Sequence, residues 1–188
     1  MLFCDPLVGA LGLCALIAVG CTRKAPEAAP EPAAPAAEAP PPAVPSPVGD
    51  PIQQADTLVY AFHDSSVPPP YHRSYVIALS ASRAHLVVDS YGDVVNEVSV
   101  DLGPEALDRA KEAWREAGIG ARPAPTSDDG CTGGTGETLS LRLQEQTLFS
   151  AYGSRCGGVQ AGELVGDSAA VKRTMQGFFD DFGALLAH

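Results

Sequence analysis

The stretch from Thr22 to Pro51 consists almost entirely of Ala, Pro and Glu, and it limits what the chain around it can fold into. Frequent prolines block helix formation, and because large apolar side chains are nearly absent, no core offsets the entropy lost on ordering the backbone. Residues 21–51 are therefore expected to be a disordered, polyproline-biased spacer. Proline-rich tracts also serve as ligands for aromatic-lined grooves, but no PxxP motif with basic flanks stands out here, so the spacer interpretation is favoured.

The segment after the spacer, residues 52–188, has the size of one ordinary globular domain. The chain has a formal net charge of −11, with 23 acidic against 12 basic residues. An acidic surface repels phosphate backbones and anionic lipid headgroups, which makes nucleic-acid binding and polybasic membrane docking unfavourable. We expect no nucleic-acid partner.

The segment before the spacer is uncharged and apolar from Pro6 to Val19. This length is typical of the hydrophobic region of a signal peptide and falls short of the ~20 residues that a membrane-spanning helix needs. Residues 1–20 are predicted to be a cleaved signal peptide. The chain is thus expected to leave the cytoplasm.

The predicted signal ends in Ala18-Val19-Gly20-Cys21, a run of small residues followed by cysteine. This motif resembles the lipobox of bacterial lipoproteins. The resemblance implies that the Cys21 thiol receives a diacylglycerol with acyl chains such as palmitate, and that cleavage makes Cys21 the mature N-terminus. The membrane is then a partner through this lipid, and the protein belongs to the cell envelope.

The residue after the lipid-modified cysteine bears on which membrane is involved. It is Thr22, not the Asp that is linked in some bacteria with retention in the inner membrane. The outer membrane is therefore the expected location. Whether the domain faces the periplasm or the exterior is left open by the sequence.

Strand-like alternation of apolar and polar residues dominates the first part of the domain and returns later. β-branched and aromatic residues are abundant in these stretches, and short polar turns separate them. The predicted strands are Thr57–Phe62, Tyr75–Leu79, Ala84–Val88, Val94–Val100, Thr138–Leu143 and Thr147–Tyr152. Their spacing predicts antiparallel hairpins.

Two stretches change to helical spacing. From Leu102 to Ala117 the apolar residues fall on one helix face, and Trp114 on that face is interpreted as core. A C-terminal helix is expected to begin with Asp167 or Ser168 as N-cap and to carry the apolar stripe Val171, Met175, Phe178, Phe182 and Leu185. The prediction is an α+β fold, with a mainly antiparallel sheet of about six strands, two helices packed on one face and one disulfide.

The disulfide is predicted between Cys131 and Cys156, which flank the second hairpin. An even pair of cysteines in the mature part of an exported chain is normally read as a disulfide. A redox-active or metal-binding pair is the alternative. It is disfavoured because the two cysteines lack CxxC spacing and no histidine lies nearby in sequence.

His63, His72 and Asp64 are the best candidates for a metal site or an acid–base cluster. His63 ends the first predicted strand and His72 follows a proline-rich loop, so the two histidines are candidates for a shared site. Zinc requires three or four converging ligands, and no recurring ligand spacing is present here. Histidines at the surface without a catalytic role are the favoured interpretation, and no catalytic residue, metal or cofactor is assigned.

Aromatic and basic residues in the loops suggest a surface for recognition. Tyr and Arg are over-represented among the anchors of protein interfaces. The candidates are Tyr71, His72, Arg73, Tyr91 and Arg155. The favoured function is a non-catalytic module that binds a protein or ligand, most readily another envelope protein, and the alternative is a small metal-dependent or hydrolytic enzyme using His63, His72 and Asp64.

Overall fold

A computed structural model describes residues 50–123 and 133–187. The predicted signal peptide, the lipid-attachment residue Cys21 and nearly all of the spacer lie outside these ranges, as does Cys131. The domain that follows the spacer is described apart from its 124–132 segment and its last residue.

Residues 50–123 and 133–187 form nine strands and four helices. In chain order these are α1 (Pro51–Gln54), β1 (Thr57–His63), β2 (Ser74–Ser80), β3 (Arg83–Ser90), β4 (Asp93–Asp101), α2 (Ala106–Glu116), β5 (Gly120–Ala121), β6 (Thr135–Leu143), β7 (Gln146–Cys156), β8 (Val159–Gly162), β9 (Leu164–Val165), α3 (Ser168–Gln176) and α4 (Phe182–Leu185). Among the described residues, every helix is too short or too polar to cross a membrane.

Seven strands form one antiparallel sheet in the order β4-β3-β2-β1-β6-β7-β8. The α+β class and the mainly antiparallel sheet are thus confirmed. The predicted count of about six strands was too low because β8 was missed. This short strand follows Gly157 and Gly158, both with positive φ, and it pairs only with the end of β7. β5 and β9 form a separate two-stranded sheet.

The core lies between one face of the sheet and the helices α2 and α3. The side chains that point to this face from β1, β2, β3 and β6 are buried with Trp114 of α2 and Met175 of α3. Helices α2 and α3 both pack on this face, but the described residues form four helices where two were predicted. Trp114 is fully buried, as expected for a core residue. We call this side of the sheet the helix side and the other the open face.

The predicted single C-terminal helix is wrong. The chain forms α3 and then the separate single turn α4, because it leaves the helical path after Gly177 and Asp181 adopts a left-handed conformation with φ 48°. As a result Phe179, not Phe178, is the buried phenylalanine between them. Of the two predicted N-caps, Asp167 and Ser168, the structure shows Asp167, whose carboxylate accepts from the Ala170 N–H at 2.9 Å.

Strand pairing brings the predicted site residues to one end of the sheet. His63 pairs with Gly136, which in turn pairs with Ser154, and Ser74 pairs with Asp89. The end of β1 therefore lies beside the start of β2, the start of β6 and the end of β7. We call this region, formed by residues 63–74, 89–93, 133–137 and 152–160, the loop end of the sheet.

Candidate functional site

The proline loop between β1 and β2 is closed by the side chain of Asp64. Its Oδ1 accepts from the Ser65 N–H at 2.8 Å, and its Oδ2 accepts from the Arg73 N–H at 2.9 Å. The Asp64 N–H donates to Ser74 Oγ at 3.0 Å. The three prolines of the loop have no N–H groups to donate, so the carboxylate and the N–H of Asp64 together hold the two ends of the loop.

His72 is only 6% exposed and positions Tyr91. Its Nδ1 accepts from the Tyr91 N–H at 3.3 Å, and the two rings stack with centroids 4.0 Å apart. Nδ1 acts as acceptor, so the neutral ring carries its proton on Nε2, which lies 3.4 Å from Ser74 Oγ. In this tautomer His72 cannot take a proton from Ser74. The expectation that His72 belongs to an exposed surface is corrected, because it packs beneath Tyr91.

Tyr71 and Tyr91 are exposed and lie beside the proline loop. Their side chains are 75% and 56% exposed. The Tyr91 hydroxyl donates to the Val67 carbonyl at 2.6 Å, and Ser90 Oγ donates to the Pro69 carbonyl at 2.8 Å. The loop is therefore tied to the turn between β3 and β4. We call Tyr71, Tyr91 and the loop residues Val67–Pro70 the aromatic surface.

Arg73 acts as an anchor inside the domain. Its Nε donates to the Leu186 carbonyl at 3.0 Å, and its Nη1 donates to the His72 carbonyl at 2.6 Å. Asn96 Nδ2 donates to the neighbouring Leu185 carbonyl at 2.9 Å. The half-buried guanidinium thus holds the C-terminal segment against the start of β2 and is not a free contact for a partner.

A cleft of about 260 Å³ lies on the open face and is lined by His63, Asp64, Tyr152 and Arg155. His63 Nε2 lies 3.2 Å from Thr138 Oγ1. The Tyr152 ring covers Gly136 so closely that a Cβ at this position would lie 2.8 Å from it. Glycine at position 136 therefore allows the tyrosine to lie flat along the strand.

The structure does not assemble the predicted metal or acid–base cluster. His63 bonds to Thr138, His72 bonds to the Tyr91 backbone, and both carboxylate oxygens of Asp64 accept backbone N–H groups. Within residues 50–123 and 133–187, no group of three His, Cys, Asp or Glu side chains is arranged to hold a metal ion. The geometry gives no support to an enzyme built on these three residues.

A second cleft of about 130 Å³ lies on the helix side of the same strand ends. Its polar lining includes Glu137 from β6, Arg155 from β7 and Lys172 from α3. Lys172 Nζ lies 4.4 Å from the centre of the Phe62 ring. Arg155 lines both clefts.

Glu137 was not predicted, although the sequence contains a signal for it. Strand alternation places Glu137 on the same face as Leu139 and Leu141, which are buried. A carboxylate in register with core leucines needs a partner, since burying an unpaired charge is costly. Tyr60 supplies this partner, because its hydroxyl donates to Glu137 Oε1 at 3.0 Å.

Two buried tyrosines, Tyr60 and Tyr75, lie near Glu137. Burial raises the pKa of Tyr60 far above its ordinary value, and the nearby Tyr75 and Glu137 raise it further. Burial also raises the pKa of Tyr75 to about 12, and Gln176 Nε2 donates to the Tyr75 hydroxyl at 2.8 Å. Both phenols therefore stay neutral, and Tyr60 remains a hydrogen-bond donor to the carboxylate.

Cys156 ends β7 at the loop end of the sheet. It is the only cysteine within the described ranges, because Cys131 lies outside them, so no complete cysteine pair is described. The predicted pairing of Cys131 with Cys156 stays a prediction.

Comparison of the chain with protein-family models, curated proteins and solved structures finds no match. The geometry of the loop end is therefore the basis for assigning a function.

Replacing Asp64 with Asn tests whether this carboxylate closes the proline loop. An amide has one acceptor oxygen, so one of the two backbone N–H groups loses its partner, and we expect the free energy of unfolding to fall by about 1–2 kcal/mol. Urea denaturation measures this change. The matched control is Asp101→Asn, at an exposed site at the other end of the sheet. Equal stability of the two variants would contradict the assigned role.

The stability of the fold should also depend on pH through Tyr75. Its pKa is about 12 in the folded chain and 10.0 ordinarily. Its contribution to the free energy of unfolding is therefore fully present below pH 10 and is lost as the pH rises from 10 towards about 12. Denaturation at a series of pH values measures this loss. The free energy of unfolding of the Tyr75→Phe variant should fall less steeply with pH than that of the wild type. Identical slopes for the two proteins would show that Tyr75 is not shielded by burial.

Proposed function

We propose that this chain is a lipid-anchored protein of the bacterial cell envelope whose domain is a non-catalytic binding module. Its partner is another envelope protein, and the aromatic surface makes the contact. The observation that carries the proposal is the exposed pair Tyr71 and Tyr91 beside a tied-down proline loop, with Tyr91 fixed by its hydrogen bond to that loop.

Fixed aromatic side chains favour binding for a physical reason. Ordering loops and side chains on association costs free energy, and a surface that is already ordered avoids much of this cost. Tyrosine also offers a large apolar ring with a polar tip, which suits interface anchors. In this protein the Tyr91 ring is stacked on His72 and its hydroxyl is bonded to the loop. The surface is therefore ordered before a partner arrives.

The envelope location rests on the N-terminal sequence. The motif ending in Cys21 supports lipid attachment, and the Ala/Pro-rich spacer supports a domain held away from the membrane. A polyproline-biased chain extends at about 3.1 Å per residue, so a spacer of this length gives the domain a reach of several tens of ångströms. With Thr22 following the anchor, the outer membrane is the proposed location.

A disulfide between Cys131 and Cys156 is part of the proposal. Cys156 is not a free thiol. Since Cys131 precedes β6 and Cys156 ends β7, the bond joins the two strands at the loop end of the sheet. Closing a loop of about 25 residues contributes on the order of 3 kcal/mol in the chain-entropy model.

Metabolic labelling with a palmitate analogue tests the anchor. The wild-type chain should be labelled and recovered with membranes, while Cys21→Ser should be unlabelled, because the thiol that forms the thioether is gone. The matched control is Cys14→Ser, which removes another cysteine of the predicted signal segment and should remain labelled. Labelling of Cys21→Ser equal to the wild type would contradict lipid attachment at this residue.

Crosslinking in intact envelopes followed by affinity capture of the tagged full chain tests the binding surface. The wild type should recover one dominant envelope protein, and the double variant Tyr71→Ala/Tyr91→Ala should recover roughly tenfold less, because the anchors are lost. The matched control is Tyr152→Ala, which removes an exposed tyrosine from the open face. Equal recovery by the double variant and the control would refute the role of the aromatic surface.

A further inference from the structure

The helix-side cleft contains positive charges that the domain leaves unpaired. Neither Lys172 nor Arg155 forms an ion pair within the described part of the chain. Lys172 Nζ lies over the Phe62 ring, which lines the same cleft. The chain as a whole has a net charge of −11, so two cationic side chains that line one small cleft differ from their surroundings. Together they attract an anionic group.

Glu137 provides the opposite charge in this cleft. One of its oxygens accepts from the buried Tyr60 hydroxyl, which fixes the position of the carboxylate. A carboxylate can only accept hydrogen bonds, so the ligand group that it recognises must be a donor, and a cationic donor is bound most strongly. A ligand that pairs with Glu137 and also with the two cationic side chains therefore carries both an ammonium group and an anionic group.

The size of the cleft limits the ligand further. Its volume of about 130 Å³ is well below that of pockets that hold drug-sized molecules. Ser154, Gln160 and Ser168 add neutral polar groups to the lining, and Phe62 and Leu164 provide a small apolar wall. We propose that the helix-side cleft binds the head group of an α-amino acid, with the ammonium at Glu137 and the carboxylate at Lys172 and Arg155.

This site is separate from the aromatic surface and does not rest on the function proposed above. The same head group occurs in free amino acids. It also occurs at the end of longer side chains in which one carbon carries both an unblocked amine and an unblocked carboxylate. Glycine represents the first source and Nε-acetyl-lysine the second. Tighter binding of Nε-acetyl-lysine than of glycine would assign the site to a chain-borne head group, and tighter binding of glycine would assign it to small free amino acids.

The test is isothermal titration calorimetry of the purified full chain with glycine, Nε-acetyl-lysine, acetate and methylammonium. Acetate and methylammonium each carry one half of the head group, so we expect both to bind at least about tenfold more weakly than the better zwitterion. The variants are Glu137→Gln, Arg155→Gln and Lys172→Met. A glutamine at 137 can still accept from Tyr60, so the fold should be retained, and circular dichroism with thermal unfolding verifies this for each variant.

Matched controls come from the other end of the same hairpin. Glu145→Gln and Arg142→Gln make the same chemical changes at exposed positions far along β6 and the β6–β7 turn. The proposal predicts that each cleft variant weakens zwitterion binding by roughly tenfold or more and that neither control does so. Saturable binding that acetate reproduces, binding insensitive to Glu137→Gln, or absence of binding by either zwitterion would overturn it.

Discussion

The carboxylate of Asp64 is the contact on which the loop end of the sheet depends. It joins Ser65 at the start of the proline loop to Arg73 at its end. The three prolines of this loop donate no hydrogen bonds, so the loop depends on side-chain contacts as well as backbone ones, and the Asp64 carboxylate is the contact that spans its two ends. His72, which precedes Arg73, lies where it can support Tyr91, and Arg73 holds the C-terminal segment. The exposed Tyr91 is thus held beside a loop whose ends are joined by a partly buried carboxylate.

The unequal covering of the sheet gives its loop end two different clefts. Helices α2 and α3 cover one face, so Glu137 lies among core residues and requires the buried Tyr60 as partner. On the other face Tyr152 lies over Gly136 next to His63. Arg155 lines the clefts on both sides. Apolar packing on the helix side thereby leaves a small charged cleft at its margin.

Sequence patterns predicted the regular elements well and the site only in part. Period-two alternation identified six strands, and Asp167 was identified as a cap, because both signals are local. β8 was missed since its four residues pair only through the tight turn at Gly157 and Gly158. His72 was assigned to the surface because sequence does not reveal that the Tyr91 ring stacks on it and that the Tyr91 N–H donates to its Nδ1. That contact joins residues from different loops.

Amide hydrogen exchange at Arg73 and Tyr91 is the most direct test of a loop end that is ordered before any partner binds. Both N–H groups donate to side chains, Arg73 to Asp64 and Tyr91 to His72, and neither bond belongs to a strand ladder. If the surface is preorganised, both amides exchange many times more slowly than in an unfolded chain, as strand amides do. Exchange at the unprotected rate would show that the loop is open in the free protein and would contradict the account.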